Sequence, residues 1–129
     1  MPSRQLPMPT EAELAILRVL WERGPSTVRD VTAALVGERG TGYTTALKFL
    51  QIMTEKGLVR RDESARTHVY SAAIQAHQTQ RRFVRDLIEK VFNGSAPQLV
   101  LQALSAKKAS RAELAEIRKL LDELERNAK

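Results

Sequence analysis

The sequence contains no cysteine, which excludes disulfides and thiolate metal sites. Its two histidines, His68 and His77, lie in segments of different character and form no local pair for a metal. Neither a metal nor any other cofactor is therefore expected. No run approaches the roughly 18 apolar residues of a membrane span. The opening MPSRQLPMPT also lacks the apolar stretch of a signal peptide, so no membrane partner and a cytoplasmic location are expected. Missing too are a Gly-rich phosphate loop, a G-x-S-x-G elbow, an H-E-x-x-H pair and paired carboxylates at a plausible cleft, so an enzyme is not expected. The last absence is local. From Arg39 through Thr54 there is no Asp or Glu, although acids make up 15 of the 129 residues.

What is present begins with charge. A formal net charge of +6 and a sequence pI of about 10.1 favour an acidic partner such as nucleic acid, although a basic balance alone is weak evidence. The length allows one domain with a core, or a small domain followed by an oligomerisation segment.

The carboxylate-free stretch is the centre of the chain. Between Thr44 and Glu55 the residues Ala46, Phe49, Leu50 and Met53 recur at i, i+3, i+4 and i+7, one apolar stripe of a helix. The opposite stripe is Thr44, Leu47, Lys48 and Gln51, hydroxyl, amide and ammonium groups suited to facing a polyanion. Gly57 stands where a left-handed helix cap is needed. After it, Leu58-Val59-Arg60-Arg61 and Thr67-His68-Val69-Tyr70 are β-prone runs around a polar turn, Asp62 to Arg66. A helix followed at once by a basic hairpin is the pattern of a winged helix-turn-helix. An ordinary amphipathic helix beside a surface hairpin is the other reading of these residues.

Upstream, residues 1 to 9 hold three prolines and no periodicity, and read as a flexible arm. Thr10-Glu11-Ala12-Glu13 is a capping box opening a helix with Leu14, Leu17, Leu20 and Trp21 on one face, stopped by Gly24-Pro25. Trp21 is expected in the core. Ser26 or Thr27 caps a second helix to about Val36, with Val28, Val31 and Leu35 inward, and Gly37, Gly40 and Gly42 follow as a loop. Three short amphipathic helices bury a shared core only by packing together, with the hairpin on the open edge. The expected head therefore spans residues 10 to 73.

From residue 74 to 129 the chain reads as all helix. A helix from about Ile74 to Phe92 carries Phe83, Val84, Leu87, Ile88, Val91 and Phe92 on one side and ends at Asn93-Gly94. Ser95-Ala96-Pro97-Gln98 opens a short helix, apolar nearly all round at Leu99, Val100, Leu101, Ala103 and Leu104. Ser110-Arg111-Ala112-Glu113 is a further capping box, and Leu114, Ile117, Leu120, Leu121 and Leu124 form the stripe of the last helix. So much apolar surface is not easily covered within one subunit. A homodimer is expected through this segment, with Phe83, Leu87, Val91, Leu99, Leu101, Leu104, Ile117 and Leu121 at the interface. A self-contained helical subdomain is the alternative.

TEAELAILRVLW, STVRDV, YTTALKFLQIMTEKGLV and the arginine-bearing wing closing on Val69-Tyr70 together resemble the BlaI/MecI penicillinase-repressor family of winged-helix regulators. The match falls on Leu20, Trp21, Tyr43, Thr44, Thr45, Lys56, Gly57, Leu58 and Tyr70 and covers nearly the whole chain. The resemblance implies a mainly α fold: a winged helix-turn-helix head of three helices plus a β-hairpin wing, and an all-helical dimerisation segment. It also implies a repressor that pairs through its helical half and presents two heads to a dyad-symmetric, double-stranded DNA operator.

On this reading each third helix enters a major groove and each wing follows the backbone. Thr44, Lys48 and Gln51 are the candidate base readers. Tyr43, Thr45, Arg60, Arg61 and Arg66 are the candidate phosphate contacts, and Tyr43 equally fits a packing role. A winged-helix module that binds protein is the competing function, but it calls for acidic or broadly apolar residues on the third helix, where only Leu47 is apolar.

Two departures from the family bear on detail. Ala65 stands where the family often has Gly before the wing arginine, so a different turn at the wing tip is expected. In members controlled by a sensor-protease pathway, an Asn-Phe bond is cut at the place that here reads Leu101-Gln102-Ala103, and these residues do not support cleavage. The copper-responsive relatives use a cysteine cluster, which this chain lacks.

Overall fold

A computed structural model describes residues 6–128, and for residues 36–39 the backbone alone. The first five residues of the expected arm lie outside the described residues. Six helices and one hairpin follow in the order α1 (Glu11–Arg23), α2 (Val28–Arg39), α3 (Tyr43–Lys56), β1 (Val59–Asp62), β2 (Val69–Ala72), α4 (Ala76–Lys90), α5 (Ala96–Ala106) and α6 (Arg111–Asn127).

Several helix boundaries have a local chemical cause. Thr10 Oγ1 accepts from the Glu13 amide at 3.2 Å while Glu13 Oε1 accepts from the Thr10 amide at 2.9 Å, closing the capping box of α1. Thr27, not Ser26, caps α2: its Oγ1 accepts from the Asp30 amide and the Asp30 carboxylate accepts from the Thr27 amide, both at 3.1 Å. Helix α2 runs to Arg39, beyond the expected Val36, so Gly37 belongs to the helix and the loop narrows to Gly40–Gly42. Gly57 closes α3 in the left-handed region, φ 84° and ψ 12°. There a side chain would be strained, and the Leu58 amide turns back to the Met53 carbonyl at 2.9 Å. Ser110 and Glu113 form the same reciprocal cap on α6.

The three-helix head packs as the apolar spacing requires. Ala15, Ile16, Leu17 and Leu20 from α1, Val31 and Leu35 from α2, and Ala46, Leu50 and Met53 from α3 are buried together with Leu58, Val59 and Tyr70. Trp21 differs from expectation. It is only partly buried against this cluster, and its indole N–H donates to the Ile74 carbonyl at 2.9 Å. A ring with one polar edge lies where that edge finds an acceptor.

The hairpin is antiparallel, pairing Val59 with Ala72, Arg60 with Ser71, Arg61 with Tyr70 and Asp62 with Val69. Its second strand starts two residues later than the β-prone run Thr67–Tyr70 and continues to Ala72. Two interactions hold it there: Tyr70 also bridges to Ser26 through two main-chain bonds, at 2.9 and 2.7 Å, and the Ala73 amide donates to the Leu58 carbonyl. The wing loop has no residue at positive φ. Its turn is set by Asp62, whose Oδ1 accepts from the Ser64 amide at 2.9 Å, so Ala65 serves where a left-handed turn would need Gly.

Two compact units divide the chain, Met1–Phe83 and Val84–Lys129. The division falls inside α4, ten residues beyond the head end read from the sequence. Ile74 accepts the Trp21 bond and Thr79 is buried, which explains why the start of α4 goes with the head. In the second unit, α5 and α6 contain no buried residue. No helix among the described residues is long and apolar enough to cross a membrane.

Candidate nucleic-acid interface

Helix α3 buries one stripe and exposes the other. With Ala46, Leu50 and Met53 fully buried, the helical repeat turns Thr44, Thr45, Lys48 and Gln51 outward, and all four are exposed. Tyr43, the first residue of the helix, is 51% exposed. It therefore lies on the outer surface and not within the core. No acidic residue occurs in the first turn, so the partial positive charge of the helix N-terminus is not offset there.

Beside this face lies a cleft of about 440 Å³ between the start of α2, the outer side of α3 and the wing. Thr27, Arg29, Tyr43, Leu47, Arg66 and His68 are among its lining residues. The structure thus brings Tyr43 and Arg66 together, as the sequence reading grouped them. It adds Arg29 and His68, which that reading left out. Arg29 was not legible because nothing in the local pattern of α2 says that its first turn opens toward the wing.

The two strand arginines do not share a face. Arg60 lies opposite Ser71 and Arg61 opposite Tyr70, and successive strand residues point to opposite sides. Arg61 is already engaged: its Nη2 and Nε lie 3.1 and 3.2 Å from Glu63 Oε2. Tyr70 and Glu63 both favour its charged form. None of the ion pairs among the described residues uses Arg29, Lys48, Arg60 or Arg66, so these four cations are available to a polyanion.

The α3 face is anchored from behind by a buried charge. Glu13, 2% exposed, receives Lys56 Nζ at 2.7 Å, tying the start of α1 to the end of α3. Burial pushes the Glu13 carboxyl up, but Lys56 and the Thr10 cap outweigh it and hold the group below its ordinary value. Asp62 is likewise held low, by its bonds to Ser64. No group of three or more His, Cys, Asp or Glu that could hold a metal occurs among the described residues.

The sequence model of the penicillinase repressor matches residues 9–123. The chain belongs to the penicillinase repressor family. Among curated members, the transcriptional regulator BlaI of Mycobacterium tuberculosis, from two strains, is 39% identical over 62 residues. That match covers 47% of this chain and 45% of the relative, so it spans about half the length of each. Among solved structures, the Bacillus licheniformis BlaI monomeric form in complex with the blaP half-operator is 22% identical, with a TM-score of 0.50 over 56% of this chain and 88% of that one. The DNA-binding domain of the repressor BlaI aligns equally well, over 57% and 90%. These two likenesses establish the fold of the head as that of a penicillinase-repressor winged helix.

Proposed function

We propose that this family member is a DNA-binding transcriptional repressor that acts in the cytoplasm as a homodimer on a dyad-symmetric operator. The observation that carries the reading is the outer face of α3. From Tyr43 to Gln51 it carries no carboxylate, the first on this stripe being Glu55 in the last turn, and it is flanked by a cleft bearing Arg29 and Arg66. Thr44, Lys48 and Gln51 are the base readers, because side chains on the exposed stripe of a helix in the major groove reach base edges. Tyr43, Thr45, Arg60, Arg61 and Arg66 are the backbone contacts, joined by Arg29 in the cleft.

Dimerisation draws support from the second unit. Leu87, Val91, Leu101, Leu104 and Leu121 are between 38% and 64% exposed in the single chain, and large contiguous apolar surface marks an interaction site. Phe83, Leu99 and Ile117, half-buried, complete the proposed contact set. The boundaries read from the sequence, an arm at 1–9, a head at 10–73 and a dimerisation segment at 74–129, go with this reading, with residues 74 to 83 also packing as part of the head.

The test is a salt titration on an operator, sought as an inverted repeat upstream of the protein's own gene, and on a scrambled duplex of equal length. Lys48→Ala or Gln51→Ala is expected to cost roughly 1 to 3 kcal/mol on the operator and much less on the scrambled duplex. Arg66→Ala is expected to weaken both about equally and to make the log-affinity slope against log salt shallower by about one unit per head. A wild type with no preference for any duplex would replace this reading with that of a protein-binding module.

A further inference from the structure

The wing carries a counter-charge of its own. Glu63, the first residue after β1, places Oε2 within 3.2 Å of Arg61 Nε and 3.1 Å of its Nη2, and Oε1 3.8 Å from His68 Nε2. The neighbouring carboxylate, Asp62, is occupied by the loop amide of Ser64. The Glu63 carboxylate therefore answers Arg61, with the His68 ring beside it, while Arg60 and Arg66 have no such partner. A carboxylate on a surface meant for phosphates is unfavourable unless it serves a purpose. It stands well within a Debye length of any phosphate that Arg61 meets. A guanidinium fork also offers the same paired donors to a carboxylate as to a phosphate.

We propose that Glu63 is an internal competitor for DNA phosphate at Arg61, so that Arg61 adds to DNA affinity only when its carboxylate partner is displaced. The proposal rests on the DNA-binding reading above. The pair is built to open. The Glu63 side chain is 57% exposed and that of Arg61 31%, and exposed pairs of this kind are weak. Glu63 thereby keeps the wing from gripping any duplex at full strength, and the α3 side chains set a larger share of the binding.

A double-mutant cycle on the full chain tests this, using wild type, Glu63→Gln, Arg61→Ala and the double variant on the operator and scrambled duplexes across a salt series. Glu63→Gln keeps the shape and one acceptor oxygen but removes the charge. It is expected to tighten both duplexes by about twofold to fivefold per head and to steepen the salt slope by about one unit per head. Both effects should vanish when Arg61 is already Ala. Equal tightening with and without Arg61 would mean simple repulsion at a distance and would overturn the competition. Weaker binding by Glu63→Gln would overturn it too, making Glu63 a strut for Arg61. Wild-type binding with no effect of Glu63→Gln sinks this proposal alone, whereas no wild-type binding sinks the repressor reading with it.

Discussion

The two units of the chain follow the same helical rules and reach opposite outcomes. In the first, α1, α2 and α3 each turn an apolar stripe onto a common core, and Leu17, Val31 and Leu50 are fully shielded. In the second, α5 and α6 have equally well-formed ends, with Ser95 and Ser110 caps, yet none of their residues is buried. Good caps and clean periodicity make a helix, but they do not say whether its apolar stripe finds a partner within the same chain. The head is finished by itself. On the proposed reading the tail is completed by a second copy.

The sharpest way to break this contrast is a charge at Leu101. In the single chain it is 58% exposed, so an aspartate there would be harmless if nothing covered it. Across a dimer contact the same change buries an unpaired carboxylate at a cost of several kcal/mol. Sedimentation of the wild type at micromolar concentration is expected to give twice the 14.5 kDa chain mass, and Leu101→Asp a monomer. A dimeric Leu101→Asp would remove α5 from the interface.

Next in size is a cavity in the head. Leu50→Ala, at a fully buried site, is expected to cost about 2 to 5 kcal/mol, measured by denaturant unfolding of a fragment ending at Phe83. That fragment should be monomeric and should outlast one ending at Ala73, which lacks the Ile74 acceptor for Trp21 and the buried Thr79. Equal stability of the two fragments would move the edge of the head back to where the sequence placed it.

The smallest expected effect is acid sensitivity. Glu13 has a folded-state pKa below its unfolded value, so its pair with Lys56 stabilises the head fully above the ordinary glutamate range, about 4.3. That stability is lost as pH falls through the lower folded value. The melting temperature of the head fragment should fall less steeply below about pH 4 in Lys56→Met than in the wild type. Parallel curves would show that the pair adds nothing.

Much of the head was legible because its signals are local. The Thr10–Glu13 box, the Gly57 stop and the Ala46–Met53 stripe each depend on residues within two turns of one another, and each stands where expected. What was not legible depends on distant partners. Strand β2 is tied at Tyr70 to Ser26, 44 residues away, and the half-buried Trp21 to the Ile74 carbonyl. At the candidate site, the exposed face of α3 could be read from periodicity alone. The Arg29 side of the cleft needed the packing of α2 against α3, and the Glu63–Arg61 pair needed the loop to fold back on the strand.

The Ser26–Tyr70 bridge has a consequence for divergence. It is made by main-chain amides and carbonyls, which every residue except proline supplies in full. These two bonds between the α1–α2 loop and the wing therefore persist through any substitution at either position that spares the backbone N–H, while the buried Tyr70 ring adds packing of its own. A change of charge or length at the exposed wing tip, residues 63 to 67, leaves this attachment at the base of the wing in place.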